Sequence, residues 1–242
     1  MVMPVPQPME TCAITAPDWQ PRVVSVEGRY VAASNATLLA DTADGVRVIY
    51  KPVDGARPLW DFDARTLAYR EVWAYRIDRA LGFSNVPETT MAEGPFGPGA
   101  VQRYVAAAAD QEVIDLINAG AGALWPIAVL DLVLNNADRK AGHILRDEDS
   151  RLWAIDHGLT FHIEEKLRTV LWGFAGQPIP QAIVDNLRGA RIALGGQLGE
   201  RFAADLSESE LEAMLRRLES LIDTGLHPVP PEDRHSIPWP PY

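Results

Sequence analysis

LNNADRKAGHIL, residues 134–145, follows the apolar run WPIAVLDLVL (125–134) and precedes AIDHG (154–158). Asn135, Asn136, Asp138, Arg139, Lys140 and His143 crowd the exit of a segment whose composition predicts a buried helix. Such a cluster beside a core is either a solvated turn or a working site. The elements on either side decide between the two.

Downstream, HILRD and RLWAID predict a short hairpin. KLRTVLWGF (166–174), PQAIVDNLRGARIALGGQL (180–198) and SESELEAMLRRLESLID (207–223) read as helices. The last opens with Ser207 and Glu210 at capping-box spacing. The tail VPPEDRHSIPWPPY is too rich in proline for a helix or a central strand. Upstream, EVIDLINAG and ALWPIAVLDLVLNN read as helices, with Pro126 in the first turn of the second, where its missing N–H costs little.

Further upstream the pattern changes. VVSV, ATLLAD and VRVIY are β-branched runs between turn signals, and ADG (43–45) predicts a hairpin turn. TLAYREVWAYRIDRALGF has helical spacing, with Leu67, Val72, Tyr75, Ile77 and Leu81 on one face and Gly82 as the stop. VPETTMAE and GAVQRYVA are two more strands, separated by GPFGPG. The expected architecture is α+β with two lobes. Residues 1–20 form a Pro-rich extended arm, 21–105 a β-rich N-lobe of five strands and one helix, and 106–242 a helical C-lobe with a Pro-rich tail. Ligand sites favour the cleft between two such units.

Bulk composition narrows the function classes. A chain of 242 residues with a net charge of −11 does not draw nucleic acid or an anionic bilayer through its overall field. The single cysteine, Cys12, excludes an intrachain disulfide and a cysteine zinc site. The N-terminus has no charged cap followed by an apolar core, so no signal peptide is expected. No apolar run approaches the ~20 residues of a membrane span. A soluble cytoplasmic protein is the expectation.

Four polar positions then fall in a telling order. Lys51 closes the strand VRVIYKP, Glu71 lies on the next helix, Asp138 lies in the polar loop, and Asp156 ends a strand just before a glycine. Alone, each has an ordinary reading as a solvated lysine, a surface glutamate, a turn aspartate and a strand-end aspartate. In sequence they match what phosphoryl transfer needs: cations to spread charge over phosphates, and a carboxylate to orient the attacking hydroxyl. The order strand lysine, helix glutamate, loop aspartate and D-x-G is similar to that of protein kinases.

The stretch LNNADRKAGHILRDEDSRLWAIDHGLTF resembles the catalytic loop and metal element of the phosphatidylinositol 3-/4-kinase-like superfamily, especially the type II phosphatidylinositol 4-kinases. HipA-type serine kinases have a similar N-x-D-R loop. A more specific resemblance is to an actinobacterial kinase-like family, through SNATLL, VIYKP, RPLWDF, GPFGPGAVQ, NNADRKAGHIL, DHG and KLRTVLW, over about residues 25–240. This implies a two-lobe kinase-like fold and an ATP- and Mg²⁺-dependent transfer to a hydroxyl of a protein or a soluble small molecule. Carried over, Ser34, Asn35 and Ala36 cover the phosphates, Lys51 contacts them and Glu71 holds Lys51. Gln102, Arg103 and Tyr104 flank adenine, Asp138 is the base, Asn136 braces the loop and Arg139 supports the loop or touches phosphate. Asp156 is a metal ligand, and His143 occupies the second metal position, where these kinases carry Asn.

The sequence departs from the pattern in three ways. SNA replaces a G-x-G-x-x-G loop, His replaces Asn at 143, and there is no palmitoylation segment or polybasic run. No stable membrane association and no nucleic-acid partner are expected. Alternatives from other classes are a nucleotide-binding pseudokinase or sensor, an AMP transferase, and a transition-metal hydrolase using His143, His157, His162 and Asp156. The seven tryptophans are expected to pack between elements.

Overall fold

The computed structural model describes residues 19–29, 36–107 and 111–242. Ser34, Asn35 and Cys12, and most of the expected N-terminal arm, lie outside the described residues. The first half forms one antiparallel sheet of β1 (Val23–Arg29), β2 (Leu38–Thr42), β3 (Arg47–Pro52), β4 (Thr89–Gly94) and β5 (Gly97–Arg103), in the order β1-β2-β3-β5-β4. The β2–β3 turn falls on ADG as expected, and Gly45 takes φ +79°, which only glycine adopts without strain.

Alternation along β3 sorts its side chains. Val48 and Tyr50 pack on one face with Val23, Leu38, Ala40 and Val101. Ile49 and Lys51 therefore point to the other face. There α1 (Leu67–Ala80) lies across the sheet, with Ala68 and Val72 against Ala100 of β5. Since Ala100 pairs with Lys51 in the ladder, the packing that seats α1 also brings α1 beside the lysine.

GPFGPG is not a loop between strands: β4 and β5 run into it and leave only Pro95 and Phe96 to turn. Its glycines make room for a side chain. A Cβ at Gly94 or Gly99 would stand 2.7 Å from the Tyr50 ring, whose hydroxyl donates to the Gly97 carbonyl.

The second half is helical apart from a small hairpin. α2 (Gln111–Asn118) and α3 (Trp125–Leu134) are followed by β6 (Ile144–Arg146) and β7 (Leu152–Ala154), then α4 (Gln181–Leu194), α5 (Gln197–Asp205) and α6 (Glu208–Thr224). Every residue of α3 from Ile127 to Leu134 is buried, as a helix apolar all round apart from Asp131 requires. α4 and α6 pack one apolar face each, and with α5 they cover Trp73 and Ile77 of α1 and Leu81 just past its end. α1 thus belongs to both halves, one face on the sheet and the other in the helical core.

Two helix expectations are corrected. KLRTVLWGF is not a helix. The amide of Arg168 donates to the Asn136 carbonyl and that of Val170 to the Arg139 carbonyl, so its polar backbone is satisfied by the loop and only Trp172–Phe174 forms a helical turn. The stretch 180–198 is not one helix. It breaks at Gly195–Gly196, and the chain turns into α5, where a Cβ on Gly199 would stand 2.0 Å from the Leu194 carbonyl oxygen. Ser207 caps α6: its Oγ accepts from the Glu210 amide and donates to the Glu210 carboxylate. The Pro-rich tail lies along the polar loop, its Pro241 carbonyl accepting from Ala141 and its Ser236 carbonyl from Thr169. Among the described residues no single helix is long and apolar enough to cross a membrane.

Candidate active site

A cavity of about 490 Å³ opens between the sheet and the helical half. Ile49, Val53, Leu145 and Ile155 make its apolar walls, and Lys51, Glu71, Asp138, Lys140, His143 and Asp156 bring polar atoms to it. Gln102, Arg103 and Tyr104 line it where β5 ends, and Ala36 lines it from the start of β2. The Ala36 amide is already engaged, donating to the Gly55 carbonyl at 3.0 Å, so it is not free for a phosphate. Gln102 is buried, and its side-chain amide donates to Thr89 Oγ1 at 2.9 Å.

Lys51 is the centre of the site. Its ammonium donates to Glu71 Oε1 and, at 2.9 Å, to Asp156 Oδ1. Glu71 is buried on α1, and its second oxygen accepts from the His157 amide at 3.0 Å. One carboxylate therefore ties the strand lysine of the first half to the D-x-G segment of the second. Burial works against a charge on Lys51, but Asp156 and Glu71 outweigh it and push the ammonium above its ordinary pKa. The Lys51 charge in turn holds Asp156 well below the usual carboxylate range. The Asp156 side chain is 50% exposed against 18% for Lys51, so its carboxylate faces the cavity mouth. Its backbone is held at φ +61°, a left-handed conformation uncommon away from Gly, Asn and Asp.

Asp138 lies across the cavity on the loop that leaves α3. Burial raises its pKa, and the ammonium of Lys140, 3.2 Å away, opposes that rise. His143 follows in a short helical turn. Its Nδ1 donates to the Asp138 carbonyl at 2.9 Å, and its Nε2 faces Asp156 Oδ2 at 3.4 Å. Burial drives the His143 pKa down to about 4, so the imidazole is neutral at pH 7. As a cation site the pair fits in part, since it offers one carboxylate oxygen and one imidazole nitrogen. Among the described residues no group of three His, Cys, Asp or Glu side chains gathers to hold an ion unaided.

Behind the loop is a second polar cluster, sealed from the cavity. Arg139 is fully buried and does not line the cavity. Its guanidinium donates to both oxygens of Asp131, to the carbonyls of His143 and Ile155, and lies 2.7 Å from His157 Nε2. Asp131 also accepts from Asn136 Nδ2 at 2.9 Å and Thr169 Oγ1 at 3.1 Å. Asn136 Oδ1 accepts from the Asp138 amide at 3.0 Å, so the expected brace is in place. Asn135, left-handed at φ +53°, ends α3 and holds the 162–166 segment through three hydrogen bonds. His162 accepts from the Glu164 amide and packs edge-on to Phe62, and among the described residues it joins no group of three metal-ligating side chains.

Sequence reasoning passed over Asp131 and Lys140. Asp131 carried a usable signal: a lone carboxylate inside WPIAVLDLVL needs a partner, and Arg139 is the nearest arginine downstream. Trp60 departs from the packing expected of the tryptophans. It is 90% exposed, with the Lys166 ammonium 4.8 Å from its ring centre.

No family model matches the chain. Protein Rv2133c of Mycobacterium tuberculosis is 40% identical over 255 aligned positions, which span 90% of this chain and 91% of the relative. Among solved structures, the crystal structure of a Helicobacter pylori proinflammatory kinase, CtkA, superposes with a TM-score of 0.53 at 13% identity, over 85% of this chain and 94% of that one. The fold is kinase-like, as the order of its polar positions led one to expect.

Proposed function

From the premise that this chain belongs to the family of Protein Rv2133c and has a kinase-like fold, we propose that it is an ATP-dependent phosphotransferase acting on a hydroxyl. The observation that carries this reading is the convergence of Lys51, Asp156 and Asp138 on one cavity, with Glu71 anchoring the lysine. An ammonium locked in its charged form suits the triphosphate of a nucleotide better than a neutral ligand. Ile49, Val53, Leu145 and Ile155 form an apolar slot for a base, next to the backbone of residues 102–105.

Each residue then has a task. Lys51 binds and orients the phosphates. Lys140, beside Asp138, neutralises the oxygens of the phosphoryl group in transit. Asp138 accepts the hydrogen bond of the incoming hydroxyl and takes its proton as the new O–P bond forms and the bond to the β-phosphate's bridging oxygen breaks. A divalent cation, Mg²⁺ in the simplest case, would be held by Asp156 and His143 and would supply positive charge against the phosphates. The acceptor is read as a protein or soluble small-molecule hydroxyl. The loop resemblance to phosphatidylinositol kinases extends to the transfer chemistry and not to a lipid acceptor.

Asp138→Ala tests this. Transfer from γ-labelled ATP should fall by about 10²–10⁴-fold, the range for a positioned base, while binding of a fluorescent ATP analogue persists. Full turnover by the variant would remove Asp138 from the role. His143 at the position of an oxygen ligand favours a second reading, nucleotide binding without transfer. Tight binding with no turnover of ATP by the unmodified chain, across candidate acceptors and in its absence, would support that reading instead.

A further inference from the structure

Building on the nucleotide reading above, we propose that His143 and Asp156 make the cation site selective for a first-row transition ion, Mn²⁺, over Mg²⁺. The geometry of one imidazole carries the inference. A carbonyl oxygen has no proton to give, so the 2.9 Å contact between His143 Nδ1 and the Asp138 carbonyl requires Nδ1 to be the N–H. That bond fixes both the tautomer and the ring plane, the usual way a protein prepares a histidine to ligate through its other nitrogen. Nε2 is thereby turned to Asp156 Oδ2, at 3.4 Å.

The pair is too far apart for a good hydrogen bond. It is close to the separation of two neighbouring ligands around one ion, about 3 Å for bonds of about 2.0–2.2 Å. The other carboxylate oxygen, Oδ1, is taken by Lys51, so Oδ2 is the one left to face the histidine. Both side chains line the cavity.

The ligand types then set the preference. Mg²⁺ takes oxygen ligands in a strict octahedron and gives up water reluctantly. An imidazole nitrogen in its shell is a poor exchange for water. Mn²⁺ keeps the octahedral, oxygen-rich coordination that phosphates offer, and as the first member of the transition series that binds mixed nitrogen and oxygen sites it loses less than Mg²⁺ by taking one imidazole nitrogen. The protein supplies only two donors, and no third His, Cys, Asp or Glu joins them among the described residues. The remaining positions fall to phosphate oxygens and water, so the ion should bind with the nucleotide and weakly without it.

The test uses the full chain with a non-hydrolysable ATP analogue. Mn²⁺ binding is followed by electron paramagnetic resonance, Mg²⁺ by its displacement of Mn²⁺, and analogue binding by fluorescence. Mn²⁺ should bind at least about tenfold more tightly than Mg²⁺, a preference of about 1.4 kcal/mol. Electron-spin-echo spectra of bound Mn²⁺ should carry the ¹⁴N modulation of a directly ligated imidazole. His143→Asn should abolish that modulation and shrink the Mn²⁺/Mg²⁺ ratio, and His143→Gln serves if the first variant does not fold. Analogue binding with no imidazole signal, or with the same ion ratio in the variant, overturns the selectivity and leaves the nucleotide reading standing. Absence of analogue binding with either ion overturns both.

Discussion

Two polar clusters share the backbone of residues 136–139 and 155–157, and they differ in what closes them. The front cluster, Lys51, Glu71, Asp138, His143 and Asp156, meets a cavity and leaves oxygen and nitrogen atoms facing it. The rear cluster, Asp131, Asn136, Arg139, His157 and Thr169, is buried throughout, and Asp131 and Arg139 satisfy each other's hydrogen bonds. A buried ion pair that answers itself is a structural tie. A partly open one with oxygens to spare is a place for a ligand. The comparison teaches that charge alone did not mark the site, because Arg139 and Lys51 are equally conspicuous in the sequence and only one of them reaches the cavity.

Asp131→Ala should be the most damaging change to this pair of clusters. It leaves the Arg139 guanidinium buried without its counter-charge, which typically costs about 3–5 kcal/mol. Urea unfolding would read it, and a loss below about 1 kcal/mol would mean that the rear cluster does not tie the loop.

Next in size is the coupling within the front cluster. In a double-mutant cycle of Lys51→Met and Glu71→Gln, the pair should show an interaction energy of about 1–3 kcal/mol in nucleotide binding, because Glu71 acts through the lysine. Additive effects would sever Glu71 from the site.

A smaller effect concerns protons. With its pKa raised by burial, Asp138 stays protonated to a higher pH than an ordinary aspartate. Turnover should therefore fall as pH drops through a midpoint above about 4, the usual aspartate value. Since Lys140 pulls that pKa down, Lys140→Met should move the acid limb to still higher pH. A limb that moves down, or stays, would detach the limb from Asp138.

The smallest effect is expected outside both clusters. Trp60 is exposed, with the Lys166 ammonium beside its ring, so Trp60→Ala should change stability by no more than about 0.5 kcal/mol. A larger change in thermal unfolding would give that ring a structural task.

Much of the fold was legible because its signals are local. The five strands and α1 follow from alternation and helical spacing, and the end of α1 from Gly82. KLRTVLW was misread because its apolar spacing suits a helix, while its amides are satisfied by the loop at 136–139, some 30 residues away in sequence. The α4–α5 corner was missed because two glycines in a helical pattern lower propensity without announcing a turn. Of the site, Lys51, Glu71, Asp138 and Asp156 were legible from their order and His143 from the resemblance of its loop, and all five line one cavity. Arg139 is drawn away to Asp131, and Lys140 was hidden as one more cation in a charged loop.

The sequence by itself determined the strands, most of the helices and which ionisable groups are candidates, since periodicity and spacing are properties of neighbouring residues. Only the tertiary structure decided which candidates share a cavity. Lys51 reaches Asp156 across 105 positions because α1 packs one face on the sheet and the other in the helical core, and so holds the two halves at a fixed distance. Contacts of that kind follow from how faces pack together, which no single stretch of sequence encodes.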